Sequence, residues 1–389
     1  MTERKNGLNS LELLRTLVSF RSVSGTSNLD MATWIENVLG SYGIEYTRFA
    51  YADGERVNLW ATIGPKDVPG VVLSGHLDVV PAASDGSHDP FTMEVRDGLA
   101  FGRGTTDMKG FVACAMRAAS IATCMPLRRP VHLAFSYDEE FGCTGVRHML
   151  DGLAQLPTKP LFCLIGEPTE MRVVVAHKGK VSGRIRCHGV HGHSSDPASG
   201  VSAIHLAAEI VQAVRDIQNR LTEERAAPDF TVPFTTIHVG KIIGGSALNV
   251  IPALCDIEFE IRNAPHDNAD RILEELQQRG DAAAARLSEQ ASVEICVDNQ
   301  YPPLDTDPGV PASSLLLDLL GQTDTLKVSY GTEAGLYSRR LGVPALVCGP
   351  GSVAQAHRSS EFINLQQITA CDDLLERLLS HLTTDSEME

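Results

Sequence analysis

The sequence predicts an α/β protein: a three-layer domain interrupted by a smaller ferredoxin-like βαββαβ domain. Three observations predict it. The chain has 389 residues, more than one ordinary core organises, so two domains are expected. Residues 1–179 alternate helix-like and strand-like segments, the pattern of a sheet covered by helices. The pattern changes at residue 180 and the first style resumes at about residue 299. The expected boundaries are therefore 1–179 and 299–389 for the larger domain and 180–298 for the insertion.

Each element has its own reason. Residues 8–18 carry apolar side chains at a helical period, and residues 28–42 form a second such helix closed by Gly43. Residues 58–63 and 71–74 are apolar runs of strand length. Residues 110–123 form a helix of small residues, Val131–Ser136 a strand, and 161–165 another apolar strand. In the insertion, residues 181–187 alternate as a half-buried strand and 200–221 form a long helix. Residues 235–243 and 253–261 are strands, Ala269–Leu287 is a charged amphipathic helix, and 292–297 is a last strand. That order describes one sheet with helices on one face. The α/β style resumes through 314–320, Ala345–Val347 and a final helix over 365–382.

Bulk properties narrow the function. Hydrophobic content of 43% and charged content of 21% describe a soluble globular protein. No apolar run reaches bilayer length, and the opening MTERKNGLNSLELL lacks the apolar core of a secretory signal. The nine cysteines are scattered and form no CxxC pair, which fits reduced thiols in the cytoplasm. A formal charge of −16 argues against nucleic acid or an anionic membrane as partner.

The chemistry lies in five segments. GHLDVVP places His76 and Asp78 two residues apart after an apolar strand. Such residues share a strand face, and a metal-bound imidazole usually gives its other N–H to a carboxylate. GRGTTDMKG puts Asp107 in a glycine-rich turn before a helix. SYDEEFGCTG puts Asp138, Glu139 and Glu140 directly after Val131–Ser136, and LIGEPTE puts Glu167 after 161–165. CGPGSVAQAH puts His357 in a loop after Ala345–Val347. Ligands of open α/β sheets gather at the carboxyl ends of strands. Two histidines with carboxylates suit zinc, and one bridging acid holds two divalent ions roughly 3.5–4 Å apart. Such a site also needs a carboxylate that moves protons, and adjacent Glu139 and Glu140 can divide those roles. Each segment has an ordinary reading as well. Asp107 can stabilise its turn, Glu139-Glu140 can be a solvated turn, and Glu167 before Pro168 can start a helix. The ordinary readings do not explain why each acid follows an apolar strand.

Together these blocks resemble the co-catalytic zinc deacylases and carboxypeptidases. That family includes acetylornithine deacetylase, succinyl-diaminopimelate desuccinylase and aminoacylase. The resemblance covers essentially the whole chain and implies a zinc aminopeptidase-like catalytic domain with a lid that dimerises. It implies one metal held by His76 and Glu167, the other by Glu140 and His357, and Asp107 bridging them. It further implies that Asp78 orients His76, that Glu139 is the general base, and that the Asp107–Met108 peptide is cis. In GVHGHSS, His193 would stabilise the oxyanion across a homodimer, with His191 the alternative. Asn249, from GGSALNVIP, and Arg262, from FEIR, would face the substrate, Arg262 through its planar fork. Read without the family, His193 is a polar loop histidine and Arg262 an exposed strand end.

Narrower segments resemble the acetylornithine deacetylase branch: HKGK after GEPTE, YGTEAGLY at 330–337, and CGPGSVAQAH. Glu333 in that block suits the cationic side chain of N2-acetyl-L-ornithine. The partner expected is thus a small N-acyl amino acid, in arginine biosynthesis. Zinc is the expected metal, with cobalt or manganese possible on the same ligands. Three other readings stand beside it. One is a deacylase or desuccinylase for another N-acyl amino acid. Another is a carboxypeptidase or dipeptidase of the same fold. The third, a metal-free binding module, conflicts with a full set of competent ligands and a base.

Overall fold

The computed structural model describes residues 9–82, 89–224 and 226–384. The chain forms two compact units. The first comprises Met1–Ala176, Leu304–Leu326 and Thr332–Glu389; the second comprises His177–Pro303 and Lys327–Gly331.

In the first unit, the strands Val131–Ser136, Val71–His76, Phe162–Ile165 and Ala345–Val347 lie side by side and run parallel. Nearly every residue in them is buried. A parallel strand covered on both faces reads as a continuous apolar run, which is why the sequence marks these strands so clearly. Val57–Ile63 extends the sheet antiparallel to Val131–Ser136, and Tyr46–Ala50 pairs antiparallel beyond it. The small-residue helix Lys109–Ala122 packs against Ser10–Ser19 and Leu365–His381, and Phe111, Val112, Cys114 and Ala115 on it are buried in the core. Asn9 caps the first helix by accepting from the amides of Leu11 and Glu12; the expected start at Leu8 lies outside the described residues.

The carboxyl ends of the four parallel strands all open toward one edge of this unit. One contact shows how tightly that edge is built. A Cβ on Gly166 would sit 1.8 Å from the Phe111 ring, so only glycine lets the chain turn past the helix into Glu167.

The second unit has the element order βαββαβ. Its strands lie in the order Thr236–Gly244, Leu254–Arg262, Lys180–His188, Ser292–Tyr301, and every neighbouring pair is antiparallel. Burial alternates along Lys180–His188, so Val181, Ile185 and Cys187 join one core with the helices Ala203–Glu224 and Ala269–Leu287. No helix among the described residues is long and apolar enough to cross a membrane.

Candidate metal centre

His76 is the last residue of its strand and its side chain is 1% exposed. Its Nδ1 lies 2.8 Å from the backbone oxygen of Asp78. A carbonyl only accepts, so Nδ1 donates to it, while Nε2 faces the acids: protonated it donates to Asp107, and deprotonated it would offer its lone pair to a cation. Nε2 is 3.1 Å from Asp107 Oδ1 and 3.8 Å from Glu167 Oε1.

The residue expected to orient His76, Asp78, does so through its backbone oxygen rather than its carboxylate. The carboxylate stays 3.6 Å from the ring nitrogen. It accepts instead from the Ser24 hydroxyl at 2.7 Å and from the amides of Glu139 and Glu140 at 3.1 and 3.3 Å. The two strands are parallel neighbours, so the amides just past Val131–Ser136 face the residue just past His76. Asp78 therefore orients the imidazole with its carbonyl and the acid pair with its carboxylate.

Asp107 sits in the glycine-rich loop, and the Asp107–Met108 peptide is cis. Its Oδ2 is 3.4 Å from His357 Nε2, while Oδ1 faces His76. Each oxygen thus addresses a different imidazole. Glu140 Oε1 is 3.1 Å from His357 Nε2, and Glu167 stands on the His76 side. The donor atoms of His76, Glu139 and Glu167 lie within 4.8 Å of one another, and so do those of His76, Asp107 and Glu140.

Electrostatics follow from packing these acids away from water. Burial pushes Glu139 up to about 8, with Glu140 and Glu333 adding repulsion and His76 opposing it. Burial and the carboxylates of Asp107 and Glu139 raise Glu167 well above the usual range. Asp107 feels the same burial, yet hydrogen bonds with His357 and His76 hold it well below that range. His357 is pushed up to about 10 by its hydrogen bonds to Asp107 and Glu140. Acids raised by burial and by one another are stabilised by a nearby cation. The donors are imidazole nitrogen and carboxylate oxygen in two facing groups that share Asp107. That set fits a pair of divalent ions such as zinc, cobalt or manganese.

Of the further neighbours, Cys143 and Glu361 were not singled out from the sequence, whereas Asp138 and Glu333 were. The Cys143 thiol donates to Glu139 Oε1 at 3.2 Å. Asp138, ahead of the acid pair, has φ 50° and is held by Arg56 and by the amide of Gly25. Glu361 receives donors from the Asp107 loop. Glu333 belongs to this unit but is 1% exposed. Its Oε2 accepts from Ser136 at 2.9 Å, and its Oε1 is buried with no hydrogen-bond partner among the described residues. Burial pushes its carboxyl up to about 7, against the Ser136 hydrogen bond.

The remaining expected residues lie in the second unit. His193 pairs with Val250 in a short ladder, and Ser194 donates to the Asn249 carbonyl at 3.1 Å, so His193 and Asn249 are neighbours. The Ser195 amide donates to His193 Nδ1 at 3.1 Å, which leaves the proton on Nε2, ready to donate. His191 is an exposed neighbour. Arg262 departs from its expected freedom. Its Nε and Nη2 bind both oxygens of Glu260 at 2.7 and 3.2 Å, and Nη1 donates to Tyr301 at 2.9 Å. One edge of the fork is thus occupied, because Glu260 and Arg262 share a strand face. At most two of its five N–H groups remain for a substrate carboxylate.

The chain is similar to known proteins over most of its length. The profile of Peptidase family M20/M25/M40 matches residues 72–381. An acetylornithine deacetylase of Shigella sonnei is 33% identical over 383 residues, covering 95% of this chain and 97% of that enzyme. A solved tripeptidase of Staphylococcus aureus superposes with a TM-score of 0.77 at 19% identity, covering 97% of this chain and 99% of its own. A dinuclear metal-binding peptidase of Bacillus subtilis superposes with a TM-score of 0.70 at 16% identity, covering 96% and 97%.

Proposed function

This chain belongs to peptidase family M20/M25/M40 and is a metallo-hydrolase acting on an amide, and from that premise we propose that it hydrolyses N2-acetyl-L-ornithine to L-ornithine and acetate. The observation that carries the chemistry is Asp107, with one oxygen toward His76 and the other toward His357. His76 with Glu167 and His357 with Glu140 hold one ion each in this reading. Two bound ions would supply Lewis-acid polarisation of the acyl carbonyl and acidify the attacking water. Glu139 takes the proton of that water and returns it to the leaving amine. Asp78 holds the acid pair in place. His193, proton on Nε2, is assigned to the developing oxyanion.

The choice of substrate is supported by the deacetylase similarity over 95% of the chain. The orphaned Glu333 oxygen supports it too, since a substrate ammonium would satisfy it and lower its raised pKa. Asn249 and the free N–H groups of Arg262 are assigned to the substrate's polar groups. The reading includes a cytoplasmic homodimer formed through the second unit, residues 180–298 by the sequence boundaries, with His193 serving the partner's reaction. Exposed Ile204, Ile242, Ile243 and Leu254, near the open sheet edge at Thr236–Gly244, support that association.

The test is kcat/KM on acetylornithine beside other acetylated amino acids, N-succinyl-diaminopimelate and dipeptides. Acetylornithine should lead. A faster rate on the succinyl compound or a dipeptide overturns the substrate and leaves the metal chemistry standing.

A further inference from the structure

Glu361 lies four residues beyond His357, in the loop that also supplies that histidine, but it turns inward and is buried. Among the described residues its carboxylate collects four donors. Oε2 accepts from Arg103 Nη1 at 2.6 Å and from the Gly104 amide at 2.9 Å. Oε1 accepts from the amides of Thr106 and Asp107 at 2.9 and 3.2 Å. The Gly102 amide donates to the Glu361 carbonyl at 3.1 Å. The start of the same loop is seated as closely. The Ser352 amide donates to Thr106 Oγ1 at 3.3 Å, and a Cβ on Gly351 would meet that oxygen at 2.0 Å.

We propose that Glu361 is a positioning residue for the metal site: by tying the His357 loop to the amide of Asp107, it sets the His357–Asp107 separation on which the second ion depends. The reasoning rests on the two-ion reading above. His76 and Glu167 leave adjacent strands of the sheet and do not need this tie. His357 stands on a long loop with φ 62° and is 54% exposed. Among the described residues it lies in no helix or strand, and the contacts that seat its loop beside the Asp107 loop run through residues 351–361. A carboxylate is required at Glu361, because all four partners are donors and an amide in either orientation would point N–H at N–H. Loss of Glu361 should therefore weaken one ion selectively and spare the other.

The test is Glu361→Gln in the full chain, stripped of metal and titrated with Mn2+ by calorimetry, with EPR of the loaded protein. Wild type should take two equivalents and show a spin-coupled pair. The variant should keep one tight equivalent, lose about 10- to 100-fold in affinity for the second, and show an uncoupled ion. Two equivalents with wild-type affinities and coupling in the variant would overturn the proposal, as would equal weakening of both. If Glu361→Gln does not fold, Glu361→Asp takes its place. It keeps the charge but withdraws it, and unchanged affinity for the second equivalent then overturns the proposal. A wild type that takes one equivalent defeats the two-ion reading itself, whatever Glu361 does.

Discussion

The two sides of the metal site are made of different material. On one side, His76 and Glu167 follow directly from neighbouring parallel strands, and His76 is almost wholly enclosed. On the other, His357 comes from a loop, in a left-handed backbone conformation, and is about half exposed. Both sides use one imidazole and one glutamate around the shared Asp107, yet one inherits the rigidity of the sheet and the other depends on side-chain ties. In the two-ion reading, a site built this way would hold one ion rigidly and the other adjustably.

The largest effect should come from separating chemistry from coordination. Glu139 shares its cluster with His76 and Glu167, on the rigid side, but is assigned to proton transfer. Glu139→Gln should lower kcat by about 100- to 10,000-fold while both equivalents of metal stay bound, measured by turnover and elemental analysis. Near-normal turnover at full metal content would end that assignment.

The comparison is probed most directly by removing each imidazole. His357→Ala should keep one tight equivalent and lose more than the ~10- to 100-fold typical of an outer-sphere partner in affinity for the other, with little change in thermal stability. His76→Ala removes a fully enclosed side chain, leaves the Asp78 carbonyl without its donor and leaves Asp107 and Glu167 without a counter-charge. It should lower thermal stability as well as metal content. Equal melting losses in the two variants would show that the sides do not differ as the burial implies.

Asp78 links the sides, because its carboxylate holds the amides of Glu139 and Glu140. Asp78→Asn keeps the shape but turns one acceptor into a donor. A loss of about 10- to 100-fold in kcat/KM is expected, carried mainly by kcat. A change confined to KM would mean that the acid pair does not need the clamp.

The contrast also explains what could be read from the chain. The rigid side was legible because an enclosed parallel strand is an apolar run with an abrupt polar end, and His76 and Glu167 stand at such ends or just beyond. Asp107 was legible from its glycine-rich turn. The ties of the adjustable side were not, since Glu361 in HRSSEF looks like a polar loop and no periodicity shows a carboxylate turning inward onto four donors. The occupation of Arg262 by Glu260 was available from their i, i+2 spacing on one strand, but the substrate role overshadowed it. The edge strand Tyr46–Ala50 was missed because its side chains are mostly exposed and carry no burial period. In the second unit, alternation along Lys180–His188 marked the sheet plainly.

The smallest expected effect lies beside the general base. Cys143 has φ 57°, a conformation in which glycine is cheapest, and its buried thiol donates to Glu139 Oε1 at 3.2 Å. A side chain kept where the backbone favours none calls for a reason, and the contact with the base supplies one. Cys143→Gly relieves the left-handed backbone but removes the thiol. Its melting temperature should stay close to wild type, as relief and the small void offset each other. Its kcat should fall only several-fold, because S–H is a weak donor, with metal content unchanged. Cys143→Ser keeps a donor and should recover part of the loss. If Cys143→Gly turns over at the wild-type rate while Glu139→Gln does not, the thiol only fills space, and the base on the rigid side is held by the Asp78 clamp alone.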